Sequence, residues 1–459
     1  MTTSLASTTR LSVNSKLNVT QPPSNLKSTS GTWGMADWKT VRYGDVTTNV
    51  RTRAGANADD EQLLSVTAAN GVIGQMHSGR RDISAADKSK YLVVEPGDVV
   101  YNTMRMWQGV SGFSEMRGIV SPAYTVLRPS EHALDGRFLA YLMKLVRNIN
   151  VYRAYSQGLV SDTWNLKFGV LSNLELEIPP LEEQQRIAEV LDTIDEVIQT
   201  TECIISKRKA LRSGLAAELL AGDANISALT NSDLSEIWRS YQSLLSTKDG
   251  IRNKRLPHLL LDVASSTVDG PFGSALKTEH YIQGPGVRVV RLTNLGDGQF
   301  VDKDQVFVDK DYANALSRHE VRGGDVLVAA LGDDNHRPGR ACLYPIELEP
   351  GIVKADCFRI RSSNLIDSRY LREALNSSDV VHQVSRLAQG VTRNRINLSQ
   401  LRRIVLRIPP LQEQQWIAEV LDTIDETIQG DEEKLVKLQQ LRTGLADDLL
   451  SGRVRTVAA

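Results

Sequence analysis

The residues of this 459-residue chain best suited to chemistry are amides and guanidiniums gathered in short polar loops. Residues 101–109 (YNTMRMWQG) set Asn102, Arg105 and Gln108 beside Trp107, directly after a strand signal. Arginine can bond bidentately to guanine, and asparagine or glutamine to adenine, in the major groove of DNA. Arg80 and Arg81 are suited to phosphate contacts, which position a protein without reading sequence. Farther on, residues 332–340 (GDDNHRPGR) carry Asn335, His336, Arg337 and Arg340, and residues 390–397 (GVTRNRIN) carry Arg393 and Asn394. Each loop taken alone also has an ordinary reading as solvated surface.

Catalytic constellations are missing. Residues 270–277 (GPFGSALK) are glycine-rich but lack the Gly-Lys-Ser/Thr ending that cradles phosphate. The seven histidines form no HExxH and no cluster of metal-ligand spacing, and no GxSxG elbow occurs. Asp192, Asp195 and Glu196 resemble a metal site only until their helical context is considered, where carboxylates are expected on a solvated face. We read the chain as having no catalytic residues and no metal of its own.

Whatever the loops contact must be positioned by a framework, and that framework is written twice. Residues 178–222 (IPPLEEQQRIAEVLDTIDEVIQ…LRSGLAAELLAG) and 408–452 (IPPLQEQQWIAEVLDTIDETIQ…LRTGLADDLLSG) align without a gap, with 29 of 45 positions identical. A match that faithful over so large a spacing marks a duplication. In each copy a proline pair and a carboxylate-rich first turn predict a helix start, because proline lacks only an N–H that would be unpaired there. Apolar residues recur at helical spacing (Ile187, Leu191, Ile194, Ile198, Ile205 and Val190, Val197, Ile204; then Ile417, Leu421, Ile424, Ile428). About 40 residues at 1.5 Å each make a rod of roughly 60 Å. The expected cover for its apolar stripe is the other copy, packed as an antiparallel coiled coil.

In chain order, residues 1–30 read as a disordered polar tail, and 31–177 as a first α+β globule. Residues 178–222 form the first rod, and 223–254 a linker with a short helix near 233–245. Residues 255–407 form a second globule, 408–452 the second rod and 453–459 a C-terminal tail. Gly97-Asp98-Val99 is echoed by Gly324-Asp325-Val326, and Gln157-Gly158…Asn165-Leu166 by Gln389-Gly390…Asn397-Leu398. The fold class is therefore α+β: two globules separated by duplicated helices, with pseudo-two-fold symmetry. The net charge of −1 provides no global basic field, so nucleic-acid contact would have to be local. Three isolated cysteines fit a reducing compartment, and the absence of a membrane-length apolar run or signal core predicts a soluble, cytoplasmic protein.

The paired IPPLxEQQxIAEVLDxIDExI helices, each preceded by a globule with a GD turn and a QG…NL exit, resemble the specificity subunit of type I restriction-modification systems. The resemblance covers nearly the whole chain beyond the tail. It implies that the globules are target recognition domains, each reading one half of a bipartite site in double-stranded DNA. The helices would set the gap and dock two modification subunits. Restriction subunits would complete the assembly, and S-adenosylmethionine, ATP and Mg would be bound by partner subunits, with no cofactor in this chain. The chain would then be a non-catalytic part of an adenine-specific DNA methyltransferase and endonuclease complex. The repeated helix start marks the candidate partner interface: Leu181, Glu183, Gln184 and Gln185, with Leu411, Glu413, Gln414, Gln415 and Trp416. Recognition domains diverge too far for any base-reading residue to be carried over by motif. Arg186 and Trp416 break the likeness between the two helix starts, and Trp416 suits either a partner surface or extra core packing. The alternative from another class is an adaptor whose duplicated coiled coil carries two ligand-binding globules that touch no DNA.

Overall fold

The structure is a computed structural model that describes residues 38–77, 79, 84–158, 164–221, 256–271, 273–333, 335–390 and 394–456. The N-terminal tail, Arg80, Arg81, Arg393, Gly222 and the linker helix near 233–245 lie outside the described residues. The chain divides into two compact units. One comprises the residues up to Ile194 together with those from Arg442 onward, and the other is Asp195–Leu441.

The first unit clamps its globule shut with a two-stranded pair. Lys39–Arg42 runs antiparallel to Glu175–Ile178, so chain entry and exit lie side by side. The main sheet is antiparallel, in the order Thr47–Val50, Tyr124–Pro129, Val99–Asn102 and Ser111–Phe113. The helix Gly136–Met143 is capped by Asp135, whose carboxylate accepts the N–H groups of Arg137 and Phe138. Its apolar face joins Ile187 and Leu191 of the first long helix and Leu449 and Leu450 of the second in one core.

The second unit repeats the design. Leu256–Leu259 pairs antiparallel with Val405–Ile408. The sheet order is Ala264–Asp269, Cys357–Ser362, Val326–Ala329 and Ala341–Leu343. A helix over Ser368–Asn376 is capped by Asp367. A further five-stranded sheet is specific to this unit, in which Val287–Val290 runs parallel to Gly351–Val353.

The echoed Gly-Asp-Val turns have a structural cause. Gly97 and Gly324 sit at φ 97° and 84°, a backbone conformation that favours glycine. The following carboxylates are buried and held alike. Asp98 accepts the Glu95 N–H and both arms of Arg128 at 2.8 and 2.9 Å, and Asp325 accepts the Arg322 N–H and both arms of Arg361 at 2.8 and 2.7 Å. Replacing Arg128 by alanine leaves Asp98 buried with only its backbone donor. A loss of about 1–3 kcal/mol is expected in denaturant unfolding, the cost of a buried group left short of partners and below the buried-pair range because Arg128 itself is half exposed.

The long helices span Leu181–Ala221 and Leu411–Leu450. Ile178 and Ile408 close strands instead of opening helices, because the prolines that follow end the ladder and the Pro180 and Pro410 carbonyls cap the first turns. Within the second unit Arg208 pairs with Asp431, and Arg212 with Asp425, so the two helices run antiparallel there. The stripe has a cover other than the expected helix–helix seam alone. Ile417, Leu421 and Ile424 pack into a core with Tyr370, Leu371 and Leu406 of the globule as well as Leu215 and Leu219 of the other helix. Val190, Val197 and Ile204 instead stay 39–40 % exposed. Among the described residues no helix is long and apolar enough to cross a membrane.

Candidate nucleic-acid interface

In the first unit the strand Val99–Asn102 runs into a one-turn helix, Met106–Gln108, anchored by the fully buried Met106. The exit segment lies directly alongside, since Leu166 N–H donates to Thr103 O at 2.8 Å and the Tyr101 hydroxyl donates to Leu166 O. The exit also contributes Trp164, whose ring meets Trp107 edge-on at 5.5 Å, with the Arg153 guanidinium 5.8 Å from the Trp164 centroid. Trp107 is further fixed by its Nε1–H, which donates to Met104 O at 3.0 Å. The result is a half-open depression of about 270 Å³ lined by Asn102, Arg105, Trp107, Ser121 and Tyr124. Arg105 is exposed within it and Asn102 is half-buried, while Gln108 is exposed on the same loop.

The second unit brings the corresponding loops together. Gly332 N–H donates to Asn394 O at 2.8 Å, Ile396 N–H donates to Ala330 O, and Leu331 bridges to Arg395. Asp333 organises the turn by accepting the N–H groups of Asn335 and His336, with His336 Nδ1 also at 3.0 Å. The Asn335 N–H and the imidazole hold its carboxyl below the ordinary carboxylate range. Asn335, His336 and Asn394 are exposed together on this surface.

Two expected contact residues face elsewhere. Arg340 is buried and donates to the carbonyls of Leu292, Leu295, Leu331 and Arg337, while burial pushes its pKa below the usual arginine value. A guanidinium so engaged ties the loop to the globule and has no arm left for a base. Arg337 is likewise held by Asp297 at 2.6 Å and Asn376 at 2.7 Å. Sequence reading missed Trp164, Arg153 and Arg395. The last of these is paired at 2.8 Å with Asp356, a non-glycine residue at φ 72°. The repeated QG…N signal marked the segment that packs beside the loop in both units without showing which side chains it would present.

The repeated helix start also works largely inside the chain. Gln184 is fully buried. Its Oε1 accepts the Asp135 N–H, and its Nε2 donates to the Ala133 and Pro179 carbonyls, all at 2.9 Å. Gln414 makes the same three bonds with Asp367, Leu365 and Pro409. Glu183 is buried against Arg455, which reaches both carboxylate oxygens at 2.8 Å, and Trp416 is buried in the second unit's core. Glu183, Gln184, Gln414 and Trp416 are therefore turned away from any partner. Leu181 and Glu413 are half-buried, and Leu411, Gln185 and Gln415 are exposed. Asp192, which a metal could have claimed, accepts Arg137 at 3.0 Å and the Tyr141 hydroxyl at 2.8 Å.

A duplicated helix start that locks each globule, with two polar loops brought together in each unit, defines a two-module recognition protein. The model of the type I restriction modification DNA specificity domain matches residues 35–207 and 304–440, and the chain belongs to that family. It is 24 % identical over 442 residues to the type I restriction enzyme MjaVIII specificity subunit of Methanocaldococcus jannaschii, covering 94 % of this chain and 96 % of that one. It is also 25 % identical over 175 residues to the EcoKI specificity subunit of Escherichia coli, covering 38 % and 37 % of the two chains. In structure it is similar to the type I restriction-modification S subunit from M. genitalium, with a TM-score of 0.53 and 14 % identity over 92 % of this chain and 98 % of that one, a likeness of fold.

Proposed function

We propose that the chain gives a type I restriction-modification complex its DNA specificity, each unit's loop pair reading one half of a bipartite site. The observation that carries this reading is the meeting, in both units, of the loop after the central strand with the QG…N exit. In the first unit it gathers Asn102, Arg105 and Gln108, and in the second Asn335, His336 and Asn394. The long helices set the distance between half-sites and offer docking surfaces for two modification subunits, with Gln185, Leu411 and Gln415 as exposed candidates. Methyl transfer to adenine from S-adenosylmethionine belongs to those subunits, and ATP- and Mg-dependent cleavage to restriction subunits.

Binding to duplex DNA, titrated with salt in the presence and absence of the modification subunits, tests this reading. A steep fall in affinity with salt and a preference for one bipartite sequence are expected. Indifference to DNA sequence in the full complex would exclude it. Alanine at Asn102 or Arg105 is expected to cost about 1–3 kcal/mol and relax specificity in one half-site only. The purified chain alone is expected to show neither methyltransferase nor nuclease activity, with methylation appearing when modification subunits are added.

A further inference from the structure

The hydrogen-bond polarity of the first unit's loop is one-sided. The carbonyls of Asn102, Thr103, Met104, Arg105 and Met106 are occupied from within, by Arg105 N–H, Leu166 N–H, Trp107 Nε1–H, Gln108 N–H and Gly109 N–H respectively. The side-chain oxygens are engaged as well. Asn102 Oδ1 accepts the Met104 N–H at 3.0 Å, and Gln108 Oε1 accepts Arg105 Nη1 at 3.4 Å. Neither amide can be turned over without loss, because a backbone N–H and a guanidinium can only donate. What faces outward is then the N–H2 of Asn102, the N–H2 of Gln108 and the remaining arms of Arg105. Among the described residues no acceptor takes the two amide groups. The nearby hydroxyls of Ser121 and Tyr124 can donate or accept.

Resting on the proposed DNA-reading function, we infer that this loop reads chiefly acceptors. Its hydrogen bonds fall on guanine O6 and N7, thymine O4 or adenine N7 in preference to the amines of adenine N6 or cytosine N4. Arg105, the one group with a rigid pair of donors, requires the adjacent acceptor pair that only guanine presents. The paired donor-and-acceptor bond to adenine expected of Asn102 and Gln108 is disfavoured, since each oxygen already accepts one bond from the loop and keeps a single lone pair. The half-site covered by the first unit therefore contains a guanine read through its major-groove edge.

The test uses the full chain assembled with its modification subunits and duplexes carrying its methylated motif, at one fixed salt concentration. Asn102→Ala, Arg105→Ala and Gln108→Ala first show which half-site the loop covers. In that half-site, replacing the guanine read by Arg105 with 7-deazaguanine should weaken binding of the unaltered protein about 2- to 13-fold, roughly half the effect of one bidentate contact because O6 remains. Gln108→Glu, which presents acceptors in place of donors at the same size, should also weaken binding to the native motif. Insensitivity to 7-deazaguanine at every guanine of that half-site would overturn the inference while leaving base reading intact. So would affinity retained or raised by Gln108→Glu. Alanine variants that weaken all sequences equally would overturn the base-reading function of the loop as well.

Discussion

Glu373→Ala is expected to destabilise the second unit by about 3–5 kcal/mol, the cost of removing one member of a buried ionic network. Glu373 is only 3 % exposed, yet it lies between two guanidiniums: Arg212 of the first long helix at 2.7 Å and Arg372 of its own helix at 2.6 Å. Asp425 and Asp422 of the second long helix complete the cluster at 2.9 and 2.8 Å. Burial works against the Arg212 charge, but hydrogen bonding to Asp425 and the charge of Glu373 outweigh it and hold the pKa above the usual arginine value. Without Glu373, two partly desolvated cations share two carboxylates, and three elements lose their common tie. Glu373→Gln keeps an acceptor and should lose less. Denaturant unfolding, with amide exchange over Ser368–Asn376 to localise the effect, measures it. A loss below about 1 kcal/mol would show the cluster to be surface decoration. The counterpart in the first unit is built differently: Arg442, placed as Arg212 is in its own repeat, lies 5.6 Å from the Tyr141 ring.

The second large effect concerns spacing. The pairs Arg208–Asp431 and Arg212–Asp425 set an antiparallel register, and extending it along both helices brings the repeat-equivalent positions Ile204 and Lys434 to about the same level. Inserting four residues after each of these positions preserves that register, lengthens both helices by about 6 Å and turns their distal parts by roughly 400°, close to one full turn. The insertion is a coiled-coil stutter, so supercoiling changes locally while the docking faces are nearly kept. Six ångströms correspond to nearly two base pairs at about 3.4 Å each along one strand. The methylated motif should keep both half-site sequences and widen its gap by one or two positions. Full activity with an unchanged gap would show that the helices do not set the spacing.

The elements legible in the sequence were those with a local cause. Helical periodicity and a proline pair located both rods to within a few residues, and the Gly-Asp-Val echo marked two turns whose glycines need positive φ. What cover the rods would have was not legible, because Tyr370, Leu371 and Leu406 reach Ile417 and Leu421 only after the globule folds. The same holds for the site. Composition picked out the loop at 332–340, but nothing local distinguishes His336, which faces outward, from Arg340, whose acceptors at Leu292 and Leu295 come from a distant turn. Gln184 and Gln414 stood out by repetition alone. Repetition is equally served by a partner surface and by an internal lock, and only the buried bonds to the Asp135 and Asp367 N–H groups decide for the lock.

The central claim, that this chain selects the DNA site, is tested most directly by methylation-sensitive sequencing of host genomes carrying the modification subunits with and without it. The account predicts a bipartite methylated motif, two short specific sequences separated by a fixed unspecified gap, that vanishes when the chain is removed. The same motif persisting without the chain, or an uninterrupted motif in its presence, would contradict it.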